Sequence, residues 1–399
     1  MTTMPQTVNL PSTPTLDEDR LAWLALVLAP GLGPKRILDA AKQLKAPSQI
    51  FELPLTALEG LRFPAEAAQF IFDGKARQAA EEEWARVAAQ GATLVTYSCP
   101  EYPERLKEIY DPPPVLWVRG AVSLLSRPGI AIVGTRHPTP YGSGVAEMLA
   151  RDLAVRRLLI ISGMARGIDS CAHRGALAAR MPTVAVWGTG IDVVYPKENK
   201  KLAEQIVASG GAILSEYSLG TFPAPQNFPL RNRILSGMSV GVLVVEGGEY
   251  SGTRITARCA MEQNRDVYAV PGNVTNKNSW GPNTLIKQGA RLTATWEDIW
   301  EDLPKQIRLQ LEDEMKAAGG AESKAGGSAS LFGDDDKPLP EHERLVLERL
   351  KRDEAVQLDE LIEGLEGTLG SSEIFTALFE LEMSGRVKQM PGKNYVRCF

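Results

Sequence analysis

The stretch IAIVGTRHPTPYG, residues 130–142, gives the clearest indication of the fold. Its four leading apolar residues predict a buried strand, and Gly134 begins a turn that leads into a predicted helix. The dinucleotide-binding pattern G-x-G-x-x-G is absent, because Thr135 and Arg136 follow Gly134. An arginine in such a turn favours a phosphate that meets a side-chain cation as well as backbone amides.

Short apolar runs recur from Ala92 onward, each followed by a glycine turn and several by a helical pattern. Because the runs are continuously apolar rather than alternating, they predict a sheet covered on both faces. We therefore expect a doubly wound, mostly parallel α/β sheet, whose ligands bind at the carboxyl ends of the strands. The predicted strands cover residues 92–97, 115–118, 129–133, 158–162, 183–187, 211–215, 240–245 and 266–270.

The remaining segments predict further units around this sheet. Residues 16–89 show short amphipathic helical patterns, typical of a helix-hairpin-helix or SAM-like domain. The sheet domain is assigned to 90–302, and 1–15 and 303–339 are predicted as a flexible tail and a flexible linker, from their composition. Three helices and a terminal hairpin over 340–399 predict a winged helix. The fold class is thus α/β, an extended Rossmann-like sheet between a helical domain and a winged helix.

Composition limits the classes of function. The net charge is −5, but Arg127 to Asp298 carries 19 Lys+Arg against 13 Asp+Glu. No apolar run approaches the ~20 residues of a membrane span, so a cytoplasmic protein without membrane contact is expected. The 4 cysteines are widely spaced and only 3 histidines occur, which indicates neither a disulfide framework nor a metal site.

The predicted strand ends carry most of the polar motifs. No Ser-His-Asp order, P-loop lysine or paired acid/base carboxylates occur, so we expect no catalytic residues and no cofactor. Backbone turns, hydroxyls and arginines, with Phe228 and Tyr195 near the same edge, are instead typical of a site that binds a phosphodiester backbone and stacks bases. The candidate DNA-binding residues are Gly134, Thr135, Arg136, Gly163, Arg166, Phe228, Arg231, Asn232, Arg233, Ser251, Gly252, Thr253 and Arg254.

Five ordered motifs resemble the DNA-processing protein A family (DprA, also called Smf), over roughly residues 95–295. The resemblance implies an extended Rossmann domain that binds single-stranded DNA and self-associates as a homodimer. It also implies protection of incoming DNA, loading of the RecA recombinase during natural transformation, and no catalytic turnover. The motifs are Gly134-Thr-Arg136, Ser162-Gly-Met-Ala-Arg-Gly-Ile-Asp169, Phe228-Pro-Leu-Arg-Asn-Arg233, Ser251-Gly-Thr-Arg-Ile-Thr-Ala257 and Pro271-Gly-Asn273.

The sequence departs from the family pattern in two places. The family often has a basic residue just before Phe228, where this chain has Pro225-Gln-Asn227. Arg254 stands where the family usually has an apolar residue. We therefore expect Arg254 to replace the missing charge.

Several side chains allow two interpretations. Arg136 is expected to contact DNA. Arg231 and Arg233 diverge by about 200° on a helix, so one could be a structural ion-pair partner. Phe228 could stack on a base or belong to the core. Asp169 and Glu246 would repel phosphate and are interpreted as structural, Asp169 capping a turn or orienting Arg166.

The flanking domains also leave alternatives open. Residues 28–38 fit a helix-hairpin-helix turn, in which Gly31, Gly33, Lys35 and Arg36 would make auxiliary, weak contacts to duplex DNA. The alternative is a helical packing or self-association module. In the winged helix, the third helix has glutamates but no Lys or Arg, which favours a protein-contact module over groove binding.

The competing function is a nucleotide hydrolase similar to the cytokinin-activating phosphoribohydrolases, which carry a P-G-G-x-G-T-x-x-E loop. Residues 245–253, VEGGEYSGT, echo that loop in an altered order, and Thr256 stands where its glutamate belongs. A purely structural adaptor, the third possibility, predicts no affinity for DNA.

Overall fold

The computed structural model describes residues 16–44, 46–249, 251–322, 340–350, 355–365, 367–383, 386–390 and 392–397. The predicted tail, 1–15, lies outside the described residues. The predicted helical domain consists of helices joined by short turns. Its helices are α1 (Leu16–Leu28), α2 (Pro34–Leu44), α3 (Leu55–Gly60), α4 (Ala65–Phe72) and α5 (Lys75–Ala89).

The central sheet has nine strands in the order β1-β2-β6-β5-β4-β3-β7-β8-β9. From β6 to β9 every pairing is parallel, while β1–β2 and β2–β6 are antiparallel. The strands are β1 (Thr93–Thr96), β2 (Val115–Gly120), β3 (Gly129–Val133), β4 (Leu159–Ser162), β5 (Thr183–Trp187), β6 (Ala212–Ser215), β7 (Gly241–Val244), β8 (Asp266–Ala269) and β9 (Arg291–Leu292).

The sheet confirms the predicted doubly wound architecture, because helices cover both of its faces and its central strands are fully buried. The strand β9 has only two residues, too few to give a sequence pattern. The helices are α6 (Glu104–Lys107), α7 (Pro140–Val155), α8 (Ile168–Ala178), α9 (Lys200–Ala208), α10 (Asn227–Met238), α11 (Thr253–Glu262), α12 (Trp280–Lys287), α13 (Glu297–Trp300) and α14 (Lys305–Glu322).

The predicted linker is wrong over its first part, because α14 occupies Lys305–Glu322. Leu311 is fully buried against the apolar cluster of α7 and β3, and Arg127 pairs with Glu314. The pattern of Gly and Ala that suggested flexibility begins only after this anchored part of the helix. Residues 323–339, the rest of the predicted linker, lie outside the described residues.

The C-terminal unit has the predicted winged-helix order. Its elements are α15 (Glu341–Arg349), β10 (Val356–Gln357), α16 (Leu358–Leu365), α17 (Ser371–Met383), β11 (Val387–Met390) and β12 (Asn394–Arg397). Its strands form a separate sheet in the order β10-β12-β11, and its apolar residues form their own cluster.

The helical unit and the central sheet share one apolar core. Trp23 of α1 belongs to the same buried cluster as Trp117 and Trp187 of the sheet. The indole nitrogen of Trp23 also donates to Ser98 Oγ over 3.0 Å. Residues 16–89 therefore pack on one face of the half of the sheet formed by β1, β2, β6 and β5, and share its core.

Glu83 is the polar link in this shared core. Its carboxylate is only 4% exposed and accepts hydrogen bonds from Trp117 Nε1 over 3.0 Å and from the backbone amide of Leu219 over 2.7 Å. Glu83→Ala leaves both buried donors without an acceptor, so we expect the free energy of unfolding to fall by ~2–3 kcal/mol. Urea denaturation followed by tryptophan fluorescence measures this loss.

Glu82→Ala is the matched control, because Glu82 is exposed and accepts a hydrogen bond from the exposed Gln78. We expect it to change stability by less than ~0.5 kcal/mol. Equal stability of the two variants would show that Glu83 does not link the units.

Candidate nucleic-acid interface

The order of the strands creates a crevice at the carboxyl end of β3. The chain runs from β3 outward through β4 and β5 on one side, then crosses to β7 on the other side of β3. At such a switch point the connecting loops diverge, and ligands of open α/β sheets bind in the gap between them. The turns after β3, β4, β5 and β7 therefore face one opening.

A cleft of about 680 Å³ occupies this position, and we call it the central cleft. It brings together residues of four of the five predicted motifs, although they are far apart in the sequence. A small side pocket adjoins it and is lined by Arg136, Gly163, Arg166, Tyr195, Phe228 and Arg231. The predicted residues that line the central cleft are Gly134, Thr135, Arg136, Phe228, Arg231, Asn232, Ser251, Gly252 and Thr253.

Arg136 is the exposed cation of the central cleft. Its guanidinium carbon lies 6.0 Å from the centroid of the Phe228 ring, and it forms no ion pair within the described ranges. Two positions before Arg136, the turn requires Gly134, because a Cβ there would collide with Ile168 at the start of α8. The turn thus packs tightly on α8 while the charge of Arg136 remains available to a ligand.

Two aromatic rings form the wall opposite the backbone turns. Phe228 at the start of α10 is half-buried, and its ring centroid lies 5.3 Å from that of Tyr195 at an interplanar angle of 36°. Tyr195 is 38% exposed. Both rings line the central cleft and its side pocket, so their geometry permits stacking on a base. Stacking by Phe228 remains a prediction.

Arg231 is buried, contrary to the expectation that it reaches out to DNA as Arg136 does. It is 4% exposed, and its Nη1 donates to the carbonyl oxygens of Gly163, over 2.8 Å, and Val186. Burial lowers its pKa to about 10, although the neighbouring Asp169 opposes the shift. Gly163 is needed here, because a Cβ would lie 2.6 Å from Arg231 Nη1. Arg231 thus joins the ends of β4 and β5 from inside.

Arg233 is also directed inward and lines neither pocket. Its guanidinium binds Asp111 over 2.9 Å and Glu216 over 2.6 Å, and the residue is 9% exposed. The alternative of a structural ion pair therefore describes Arg233. Sequence spacing could not show which of the two arginines faces inward, because α10 is buried on nearly all sides.

The two acidic residues beside the cleft have structural partners, as predicted. Asp169 accepts from the backbone amides of Gly163, over 3.2 Å, and Ala165, over 3.3 Å. Burial raises the pKa of Asp169, while Arg231 counteracts this shift. Glu246 accepts from the backbone amide and the hydroxyl of Thr139 over 2.9 and 2.6 Å. Asp169 caps its turn and does not orient Arg166.

Arg166 lies on the rim of the side pocket and is paired with Glu198. Both side chains are more than half exposed, at 53% and 61%. Exposed ion pairs of this kind are weak, so a phosphate could displace Glu198 at little cost.

The amino end of α11 forms the far side of the central cleft. Thr253 is 5% exposed, and its Oγ1 has no hydrogen-bond partner within the part of the chain described here. Ser251 and Gly252 precede it in the cleft wall. The partial positive charge at the start of a helix, beside this hydroxyl, suits an anionic oxygen.

Arg254 does not line the central cleft, whereas Phe228 does. The guanidinium carbon of Arg254 lies 5.5 Å from the centroid of the Trp280 ring, and Arg254 Nη1 donates to the carbonyl of Glu249 over 3.0 Å. The expectation that Arg254 replaces a cation beside Phe228 is therefore not supported. On α11, position 254 points away from the sheet and its neighbour Thr253 points toward it.

The residues of the helix-hairpin-helix turn lie apart from the central cleft. Gly31 and Gly33 connect α1 to α2, and Arg36 is exposed. Lys35 pairs with Asp39 over 3.0 Å and lies 5.3 Å from the ring centroid of Tyr110. An auxiliary contact of this turn with duplex DNA remains a prediction.

The structure adds two residues to the central cleft, His137 and Asn278, that were not among the candidate DNA-binding residues. Asn278 Nδ2 donates to the carbonyl of His137 over 2.9 Å. Tyr195, which the sequence analysis expected near the same edge as Phe228, also lines the cleft. Asn278 gave no signal in the sequence, because it lies 141 positions from His137 along the chain.

Every helix of the described residues is too short or too polar to span a bilayer. Among the same residues, no group of three or more His, Cys, Asp or Glu side chains could bind a metal ion.

Two protein-family models and several known proteins match this chain. The family described as DNA recombination-mediator protein A matches residues 93–304, and the DprA winged helix domain matches residues 333–393. The DNA processing protein DprA of Bacillus subtilis is 44% identical over 218 residues, 54% of this chain and 73% of that protein. Protein Smf of Escherichia coli is 38% identical over 298 residues, 74% of this chain and 75% of that protein.

A solved structure is similar to most of this chain. The crystal structure of DNA processing protein A from Streptococcus pneumoniae superposes with a TM-score of 0.62 and 33% sequence identity. The match covers 71% of this chain and 98% of that chain.

Proposed function

This chain belongs to the DNA-processing protein A (DprA/Smf) family, and we propose on that premise that it binds single-stranded DNA in the central cleft. Arg136 and the amino end of α11 contact phosphates, and Phe228 with Tyr195 stacks a base. Gly163, Arg231 and Arg233 act as positioning residues that shape the cleft.

The observation that supports this proposal best is the position of Arg136, which is exposed and pairs with no carboxylate of the described residues. Its guanidinium carbon lies 6.0 Å from the centroid of the Phe228 ring. A cation beside a stacking surface matches the repeating unit of a single strand, in which each phosphate is followed by an unpaired base. A duplex would leave Phe228 and Tyr195 without a partner, because its bases are already stacked and paired. The cleft therefore favours a single strand.

We further propose that the bound strand is passed to a recombinase. The family description, DNA recombination-mediator protein, supports a role in which the protein protects incoming single-stranded DNA and loads RecA during natural transformation. This role places the protein in the cytoplasm. Self-association as a homodimer would let one strand engage two clefts, which raises avidity without new contacts.

Equilibrium binding tests the preference for single strands. Fluorescein-labelled dT20 should bind more tightly than a duplex of the same length, and its affinity should fall with salt by about −0.7 in log–log slope per neutralised phosphate. Fluorescence anisotropy over a series of NaCl concentrations measures both quantities. A duplex preference, or an affinity independent of salt, would contradict the proposal.

We propose no catalytic turnover for the same site. The loop at 245–253 resembles that of the phosphoribohydrolases, but Thr256 replaces the required glutamate and is 2% exposed. The nearby Glu246 is occupied by Thr139 and is not available as an acid or base. Release of free base from nucleoside monophosphates at enzymatic rates would favour the hydrolase instead.

A further inference from the structure

Arg254 and Trp280 form an aromatic and cationic pair on the outer rim of the central cleft. The Trp280 ring is 39% exposed, and the Arg254 guanidinium carbon lies 5.5 Å from its centroid. Arg254 is exposed and has no carboxylate partner within the described ranges; its guanidinium donates to the carbonyl of Glu249. Its charge is therefore not neutralised by the protein.

The pair is joined to the cleft by the backbone. Gly247 donates to the carbonyl of Asn278 over 2.7 Å, and Gly281 donates to the carbonyl of Gly247 over 2.8 Å. Thr253 lies directly before Arg254, and Asn278 lies two positions before Trp280. Both Thr253 and Asn278 line the central cleft. The rim at Gly248, Ser251 and Gly252 thus lies between the central cleft and the pair.

A purely structural role explains this pair poorly. Exposed contacts between a cation and a ring contribute little to folding. Arg254 also lies on the solvent side of α11, and Trp280 belongs to none of the apolar clusters of the described residues. A large ring kept at the surface beside an unneutralised guanidinium has the composition of a nucleotide contact.

We propose that Trp280 stacks a second base and Arg254 contacts a second phosphate of a strand that leaves the central cleft across Gly248 and Gly252. This inference rests on the proposed function and extends its footprint. The central cleft binds the first nucleotides, and the Trp280–Arg254 pair is reached only by strands long enough to cross the rim.

Strand length and side-chain substitution together test the inference on the full chain. For Trp280→Ala we expect dT20 affinity to fall about tenfold, and dT4 affinity, measured by competition, to change by less than about twofold. Trp280→Phe keeps a ring and should retain most of the dT20 affinity. Arg254→Ala should weaken dT20 and reduce its salt slope by about 0.7.

Arg258→Ala is the matched control, because Arg258 lies one turn along α11, is exposed and pairs with Glu262 over 2.8 Å. It should leave dT20 affinity and salt slope unchanged. If dT20 binds equally well to the wild type, Trp280→Ala and Arg254→Ala, the second contact is wrong while the proposed function stands. If the wild type fails to bind dT20, the proposed function is wrong and the second contact with it. The conservative Trp280→Phe and the surface variant Arg254→Ala keep the test decisive should Trp280→Ala unfold.

Discussion

Arg136→Ala is expected to weaken dT20 binding about 10- to 100-fold, the largest loss of affinity from a single substitution in this protein. A hydrogen bond to a charged group contributes ~1.5–3 kcal/mol, and each 1.4 kcal/mol is about tenfold in affinity. Because Arg136 is exposed and pairs with no carboxylate in the described part of the chain, its loss should leave folding almost unchanged. The log–log salt slope should fall by about 0.7, the value for one phosphate.

Arg77→Ala provides the control for net charge. Arg77 lies on α5, is 62% exposed and pairs with Glu81 over 3.3 Å, on the helical unit away from the cleft. It should not alter dT20 affinity or slope. If Arg77→Ala and Arg136→Ala lose affinity equally, binding follows overall charge and has no site at Arg136.

Arg231→Ala is expected to cause the largest loss of stability, ~3–5 kcal/mol in the free energy of unfolding. The substitution leaves the carbonyls of Gly163 and Val186 without their donor and the buried Asp169 without its cation. Thermal and urea denaturation measure the loss. Arg231→Lys keeps the charge, so it should lose less stability and provides a folded variant for binding studies.

The salt slope separates a positioning role of Arg231 from a direct contact. If Arg231 only positions the cleft, folded Arg231→Ala binds dT20 more weakly while its slope stays at the wild-type value. Full stability, combined with a slope reduced as in Arg136→Ala, would assign Arg231 to the DNA contact and disprove the positioning role.

Local sequence signals were sufficient to predict strands β1 to β8 of the central sheet. Strands buried on both faces read as continuous apolar runs, and the run at 130–133 is fully buried in β3. The winged helix was equally predictable, since its turns carry Gly and Pro. The start of the linker was not, because the docking of Leu311 and Glu314 depends on contacts with distant residues.

The candidate site was predictable in position but not in the role of each arginine. The rule that ligands bind at strand ends brought Arg136, Phe228 and Thr253 to one cleft. Whether an arginine faces solvent or carbonyls depends on what covers its helix, and α10 packs on the sheet beside α11, with α6 also against it. For this reason Arg231 and Arg233 looked like DNA contacts in the sequence although both are buried.

Photo-crosslinking tests most directly whether the central cleft binds the strand. A dT20 oligonucleotide that carries 5-iodouracil, irradiated in complex with the full chain and followed by peptide mass spectrometry, reports which side chains touch a base. We predict adducts on Phe228 or Tyr195, lost in the presence of excess unlabelled dT20. Adducts confined to α17 or to the turn between α1 and α2, with none on the aromatic rings of the cleft, would contradict binding of the strand in the central cleft.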